Sequence, residues 1–399
     1  MITKKIKALA EDIHQEVIGI RRHLHQHPEL SYHEEETADY LGNLLRNKGF
    51  SFEPNIGGHG IVLTIEGKQK GKGVVALRGD IDALPIQEEN QVSYRSTRPG
   101  IMHACGHDVH TSSLLGSTLI LNSLRDHFAG TVRIIFQPAE ERLPGGASLM
   151  IKDGVLTNPT PSAIFGQHVH PPLEVGKVGV KSGMYMASAD ELFLTVTGKG
   201  GHAALPHDGI DPIVLTANII QSLQQVVSRH GDPTTPTVVT FGKIASVGGA
   251  TNVIPSEVKL EGTFRTMDEV WREKAHALMQ HMVGQVALAH GGNAELRIDK
   301  GYPYLLNNED LTGRFKQYAI NYLGAEQVVD LPIRMTAEDF SYYSHEIPAC
   351  FYRLGVRNEA RGIISPLHTP TFNVDEDCLQ LSTGLMAHCA ISELESLNA

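Results

Sequence analysis

Hydrophobic and polar positions follow two rhythms along this chain. Apolar residues recur at helical spacing over residues 4–25, 36–48 and 109–124, and fall in short, β-branched runs over 60–66, 73–78, 131–137 and 163–169. Helices interleaved with strands in that order predict an α/β domain with a helix-flanked mixed sheet. Three of the runs end at residues equipped for chemistry. Residues 73–78 lead into Asp80 and Asp82, 131–137 into Glu140 and Glu141, and 163–167 into His168. Ligands of open α/β sheets gather beyond the carboxyl ends of strands, so these distant side chains are expected to converge on one cleft.

Beyond residue 183 the pattern becomes strand 191–197, helix 212–229, strands 237–246 and 257–266, helix 268–290 and strand 294–300. This β-α-β-β-α-β order is that of a split, ferredoxin-like unit able to close its own core. It predicts a domain of residues 184–303 inserted into a catalytic domain made of 1–183 and 304–399. The chain returns near Tyr304 to a helix over 308–323 and a strand over 349–354.

Composition narrows the function. Lys plus Arg is 34 against 45 Asp plus Glu, a net charge of −11, which opposes nucleic acid or an anionic membrane as partner. The first residues lack the apolar core of a signal peptide, and no apolar run reaches spanning length. Cys105, Cys350, Cys378 and Cys389 have no paired metal-finger or redox spacing. A cytoplasmic protein with reduced thiols is expected.

The densest chemistry lies in Ile101-Met102-His103-Ala104-Cys105-Gly106-His107-Asp108-Val109-His110. Thiolate and imidazole bind borderline metals such as zinc, but alone the cluster fits a metal corner or surface histidines beside a core cysteine equally well. Gln137-Pro138-Ala139-Glu140-Glu141 adds adjacent carboxylates, of which one can bind metal while the other handles a proton. His168-Val169-His170 and Leu367-His368-Thr369-Pro370 add imidazoles. One thiolate, one carboxylate and three histidines suffice for two ions if one ligand bridges. Gly198-Lys199-Gly200-Gly201-His202-Ala203 matches a loose dinucleotide pattern, yet 212–231 contains no acid to hold a ribose, leaving a glycine-rich loop that carries a histidine. There is no G-x-S-x-G, phosphate-loop or H-E-x-x-H motif.

Taken with Arg78-Gly79-Asp80-Ile81-Asp82-Ala83-Leu84-Pro85, Gly200-Gly201-His202-Ala203-Ala204-Leu205-Pro206, Asn252-Val253-Ile254-Pro255 and His368-Thr369-Pro370, these strings resemble the dinuclear metallo-amidohydrolases of the aminoacylase and carboxypeptidase superfamily. The resemblance is to the branch of hippurate hydrolases, bacterial N-acyl-amino-acid amidohydrolases and plant auxin-conjugate hydrolases, and runs from about His23 to the C-terminus. It implies two divalent ions per chain bridged by Cys105, with His107 and His168 completing one site and Glu141 and His368 the other. Zinc is the first expectation for a thiolate site, with manganese, cobalt and nickel also suited to it. The wider superfamily bridges with an aspartate and takes a histidine ligand where this chain has Asp80, a departure that Cys105 and His107 compensate. Asp80 and Asp82 are then expected to orient an imidazole and fix its tautomer. His103 and His110 are not expected as ligands.

The same resemblance implies Glu140 as general base and acid, His202 as a donor to the tetrahedral oxyanion from its own or a partner subunit, and Asn252 and Arg265 as substrate contacts. Arg265 suits a substrate carboxylate. The inserted domain is expected to act as a lid and dimerisation surface, giving a homodimer or higher homo-oligomer. The implied reaction is hydrolysis of a small N-acyl-amino acid (acetyl, benzoyl or indole-acetyl) to carboxylate and free amino acid. Rivals are a metallo-dipeptidase or carboxypeptidase of the same superfamily, and a metal-binding relative without turnover, which would need neither Glu140 nor His202.

Overall fold

The computed structural model describes residues 2–398 as two compact units. The first comprises the chain up to Tyr185, Leu306–Ile333 and the chain from Asp339 on. Its eight-stranded sheet runs in the order Glu53–Ile56, Gly60–Glu66, Ala129–Gln137, Gln69–Asp80, Ala163–Glu174, Ala349–Arg357, Val178–Val180, Val328–Asp330. The four strands from Ala129–Gln137 to Ala349–Arg357 are mutually parallel, while Gly60–Glu66 and Val178–Val180 join antiparallel, so the sheet is mixed. Register pairs Asp80 with Gln137 and His168 with Arg353, which brings the carboxyl ends of the parallel strands to one edge.

Those strands read as continuous apolar runs because both faces are covered. Val75, Leu77, Ile134, Phe136 and Phe165 are buried together with residues of the helices His107–Ser123 and Asp377–Asn398, which pack on each other. The stretch predicted as one helix over 4–25 is two, Ile2–Asp12 and His14–Gln26. Backbone bonds from Ile13 N to Leu9 O and from Val17 N to Ile13 O span the join at Ile13. Asn308, expected as the first residue of the helix over 308–323, instead lies just before it and caps Glu309–Leu323, its side chain accepting from Leu311 N. All four cysteines are free and buried. Among the described residues no helix is long and apolar enough to cross a membrane.

The second unit is Met186–Leu305 with Arg334–Glu338. Its antiparallel sheet has the order Thr237–Val247, Glu257–Thr266, Asp190–Thr197, Asn293–Lys300. Numbered along the chain, the strands lie 2-3-1-4, the split arrangement of a ferredoxin-like sheet. Leu192, Leu194 and Val196 alternate inward and share a core with Ile219 and Met279 of the helices Pro212–Gln225 and Glu269–Ala289. The first helix stops four residues before its predicted end and loosens into a π turn, Val226–His230. Residues 334–338 join this unit through Ala187 N, which donates to Arg334 O and Thr336 O.

Candidate metal centre

Three left-handed backbone positions shape the edge where the parallel strands end. Gly106 (φ 83°) separates Cys105 from His107 at the start of a helix, and an added Cβ would lie 2.5 Å from Val169 Cγ2. Only glycine meets both demands. Ala139 (φ 50°) turns the chain before Glu140, held by its N–H on Glu34 Oε1 at 2.8 Å and by its carbonyl, which accepts from Gly146 N at 2.9 Å. His368 (φ 59°) is fastened to the cysteine loop by its N–H on Ala104 O at 2.9 Å. Non-glycine residues persist in such conformations where the surroundings over-determine them.

The donors these turns present form two sets. Cys105, His107 and His168 make one, and Cys105, Glu141 and His368 the other; within each, the ligand atoms lie within 4.8 Å of one another. Cys105 Sγ is 3.2 Å from His168 Nε2 and 3.3 Å from His368 Nε2, and His368 Nε2 is 3.4 Å from Glu141 Oε1. Glu140 Oε2 stands 4.0 Å from His107 Nε2. His107 Nε2 and Glu141 Oε1 are buried without a hydrogen-bond partner. Such orphans are costly unless something absent from the polypeptide satisfies them. A thiolate, three imidazoles and a carboxylate are a donor set for borderline divalent ions, and the sets fit two of them sharing one sulfur.

The outer hydrogen bonds fix which nitrogen each imidazole offers. His107 Nδ1 faces Asp82 O at 2.9 Å and Asp82 Oδ1 at 3.1 Å, so Nδ1 carries the hydrogen and Nε2 is left to the centre. His168 Nδ1 donates to Val169 O at 2.7 Å, again freeing Nε2. Asp82 Oδ2 accepts from Ser31 Oγ at 2.7 Å and from Glu141 N at 3.0 Å. Asp80 turns elsewhere: its Oδ2 takes Arg78 Nη1 and its Oδ1 lies 2.6 Å from His110 Nδ1. His110 Nε2 accepts from Val169 N, so neither of its nitrogens is available to a metal. His103 is buried with both nitrogens unpartnered, and burial pulls its pKa down to about 4.

Electrostatics favour a cation at this centre. Burial works against a charged His107, yet Asp80, Asp82 and Glu141 push its pKa up to about 10. Burial, then the charges of Glu141 and Glu140, raise the Cys105 thiol well above its ordinary range. Burial also opposes ionisation of Asp80 and Asp82, but Arg78 and His107 hold Asp80 well below the usual carboxylate range and His107 lowers Asp82.

Several residues that sequence reasoning passes over organise the centre. Arg78 is fully buried and donates to Gln137 Oε1 (2.8 Å), Asp80 Oδ2 (2.5 Å) and Asp339 Oδ1 (2.7 Å). Asp339 also accepts from Gln137 Nε2 and Ala147 N, while its own N–H reaches Glu140 Oε1 at 3.4 Å. An arginine inside an otherwise apolar strand is the available signal, since a buried guanidinium demands buried acids.

In the second unit, Gly201–His202 pairs with Val253–Ile254, and Ala203 N donates to Asn252 O, so His202 and Asn252 share one exposed corner. His202 Nδ1 accepts from Ala204 N at 3.1 Å, which puts the ring hydrogen on Nε2. Arg265 lies near the end of Glu257–Thr266, opposite Val238, and burial lowers its pKa.

Residues 76–392 match the family model described as Peptidase family M20/M25/M40. The N-acyl-L-amino acid amidohydrolase of Geobacillus stearothermophilus is 42% identical over 310 residues, covering 78% of this chain and 83% of that protein. Thermostable carboxypeptidase 2 of Saccharolobus solfataricus is 36% identical over 394 residues, 98% of each chain. The solved structure of the YXEP protein of Bacillus subtilis, described as a dinuclear metal binding peptidase from the M20 family, matches with a TM-score of 0.82 at 34% identity, covering 97% of this chain and 99% of that one. With a family match across most of its length and relatives of this identity, the chain belongs to the M20 peptidase family of metal-dependent hydrolases.

Proposed function

We propose that this enzyme hydrolyses N-acyl-amino acids to a carboxylate and a free amino acid, with Glu140 as the proton-transfer group. The observation that carries the reading is a carboxylate beside, but outside, two donor sets that share Cys105 Sγ. Cys105, His107 and His168 would hold one ion and Cys105, Glu141 and His368 the other. The ions, zinc first and manganese, cobalt or nickel next, would supply Lewis acidity toward the scissile carbonyl and make the attacking water more acidic. Glu140 takes the water proton as the new C–O bond forms, then delivers it to the amine nitrogen as the C–N bond breaks. His202 exposes Nε2–H, the tautomer that donates to an oxyanion. Arg265, whose guanidinium loses solvent, suits the α-carboxylate of the amino-acid half, and Asn252 beside His202 a neutral polar group of the substrate. The second unit would serve as lid and dimerisation surface, and four free cysteines suit a cytoplasmic setting.

The name of the carboxypeptidase relative favours one second reading, in which the acyl group is itself an aminoacyl residue. Assays of hippurate, N-acetyl-methionine and indole-acetyl-amino acids against dipeptides, on metal-reconstituted enzyme, separate the two. Faster turnover of N-acyl-amino acids is expected. Dipeptides preferred across the panel would replace the proposal with the peptidase reading, and an inert, metal-loaded protein would leave only a binding relative.

A further inference from the structure

His110 follows His107 by three residues in the same helix and is wholly buried, yet it belongs to neither donor set that contains Cys105. Its two nitrogens are committed in a definite sense. Val169 N–H donates to Nε2 at 2.9 Å, so the ring hydrogen sits on Nδ1, where Asp80 Oδ1 accepts it at 2.6 Å. Val169 is gripped at its other end as well, because its carbonyl accepts Nδ1–H of His168 at 2.7 Å. That bond leaves His168 Nε2 directed at Cys105 Sγ, 3.2 Å away. The His110 and His168 rings lie 4.8 Å apart, and the bare Cα of Gly106 allows Val169 this close.

We propose that His110 is a positioning residue for one half of the dinuclear centre: anchored by Asp80, it fixes Val169 and thereby the direction in which His168 presents Nε2. The inference rests on the assignment of Cys105, His107 and His168 as one ligand set. It makes the two sites unequal in a testable way, since none of the bonds that His110 makes involves Glu141 or His368.

The test compares His110→Leu, His110→Gln and His110→Asn with wild type by competitive chelator titration with zinc, with melting temperature recorded for each. Leucine removes both bonds. Glutamine places an oxygen near the position of Nε2, where it can accept Val169 N–H, whereas asparagine mimics only Nδ1 and its bond to Asp80. The leucine and asparagine variants are expected to bind one of two ions about 10- to 100-fold more weakly, the second unchanged, with glutamine restoring most of the loss. Equal weakening at both sites would show a merely structural residue and overturn the proposal, as would wild-type affinity at both sites in leucine or asparagine. Should leucine fail to fold, the glutamine and asparagine pair decides alone, and equal affinities for the two overturn it. Failure of the underlying assignment looks different: wild type would bind fewer than two ions, or His168→Ala would still bind two as tightly as wild type.

Discussion

His107 Nδ1 is held by both the main-chain oxygen and the carboxylate of Asp82, at 2.9 and 3.1 Å. The other carboxylate oxygen takes Ser31 Oγ and Glu141 N, so one aspartate sets the tautomer of one candidate ligand and the backbone of another. Asp82→Asn keeps the shape but must point its NH2 either at His107 Nδ1–H or at two donors. Metal affinity is expected to fall about 10- to 100-fold in chelator competition. Wild-type affinity in this variant would remove Asp82 from the centre.

Glu140→Gln tests the proton-transfer group. The amide preserves volume and an acceptor for Asp339 N but holds no exchangeable acid proton. Elemental analysis should find both ions, while kcat falls about 10²- to 10⁴-fold. Activity within a few-fold of wild type would assign the proton to another group.

A shared sulfur makes Cys105 unlike any other donor. In Cys105→Ala each set loses a member, so neither site should retain a full ion after dialysis. Two ions per chain in that variant would count against the bridge.

Glu34 gives a pH signature. Burial, then the nearby charge of Asp82, pushes its carboxyl up to about 7. A folded pKa above the unfolded value means the native state binds this proton more tightly. The contribution is therefore present in full below about 4.5 and is lost as pH rises through 7, at most about 1–3 kcal/mol. Glu34→Gln retains an acceptor for Ala139 N and removes the titration. The variant should gain melting temperature relative to wild type between pH 5 and pH 8; parallel curves would contradict this.

Gly106→Ala combines left-handed strain with a Cβ 2.5 Å from Val169 Cγ2. A loss of about 1–3 kcal/mol is expected, with metal content falling alongside, because the clash separates Cys105 and His107 from His168. A stable variant with two tightly bound ions would show that the loop adapts.

The legible part of this molecule was what repeats locally. Strand runs that end in Asp80, Glu140 and His168 announced a cleft because parallel strands align their carboxyl ends, and the split order of the second unit followed from its periodicities. Arg78 and Asp339 were missed as a pair because 261 positions separate them and nothing local marks Asp339 as the partner of a buried guanidinium. The helix Asp377–Asn398 has apolar neighbours around most of its circumference, which blurs the spacing that reveals an amphipathic helix. His110 is not among the ligands expected from the sequence, and its bond to a main-chain N–H leaves no trace in side-chain patterns.

His368 joins the centre from a loop rather than from a strand or helix, and its side chain is 53% exposed whereas that of His107 is fully covered. That asymmetry bears on exchange. An ion held partly by the exposed His368 would meet solvent and chelators before one held by the covered His107 and His168. Stripping should then be biphasic, the outer ion leaving fast and the inner one slowly. Refilling under scarce or mixed metals should give an enzyme whose outer position samples the available pool while the inner one keeps its first occupant.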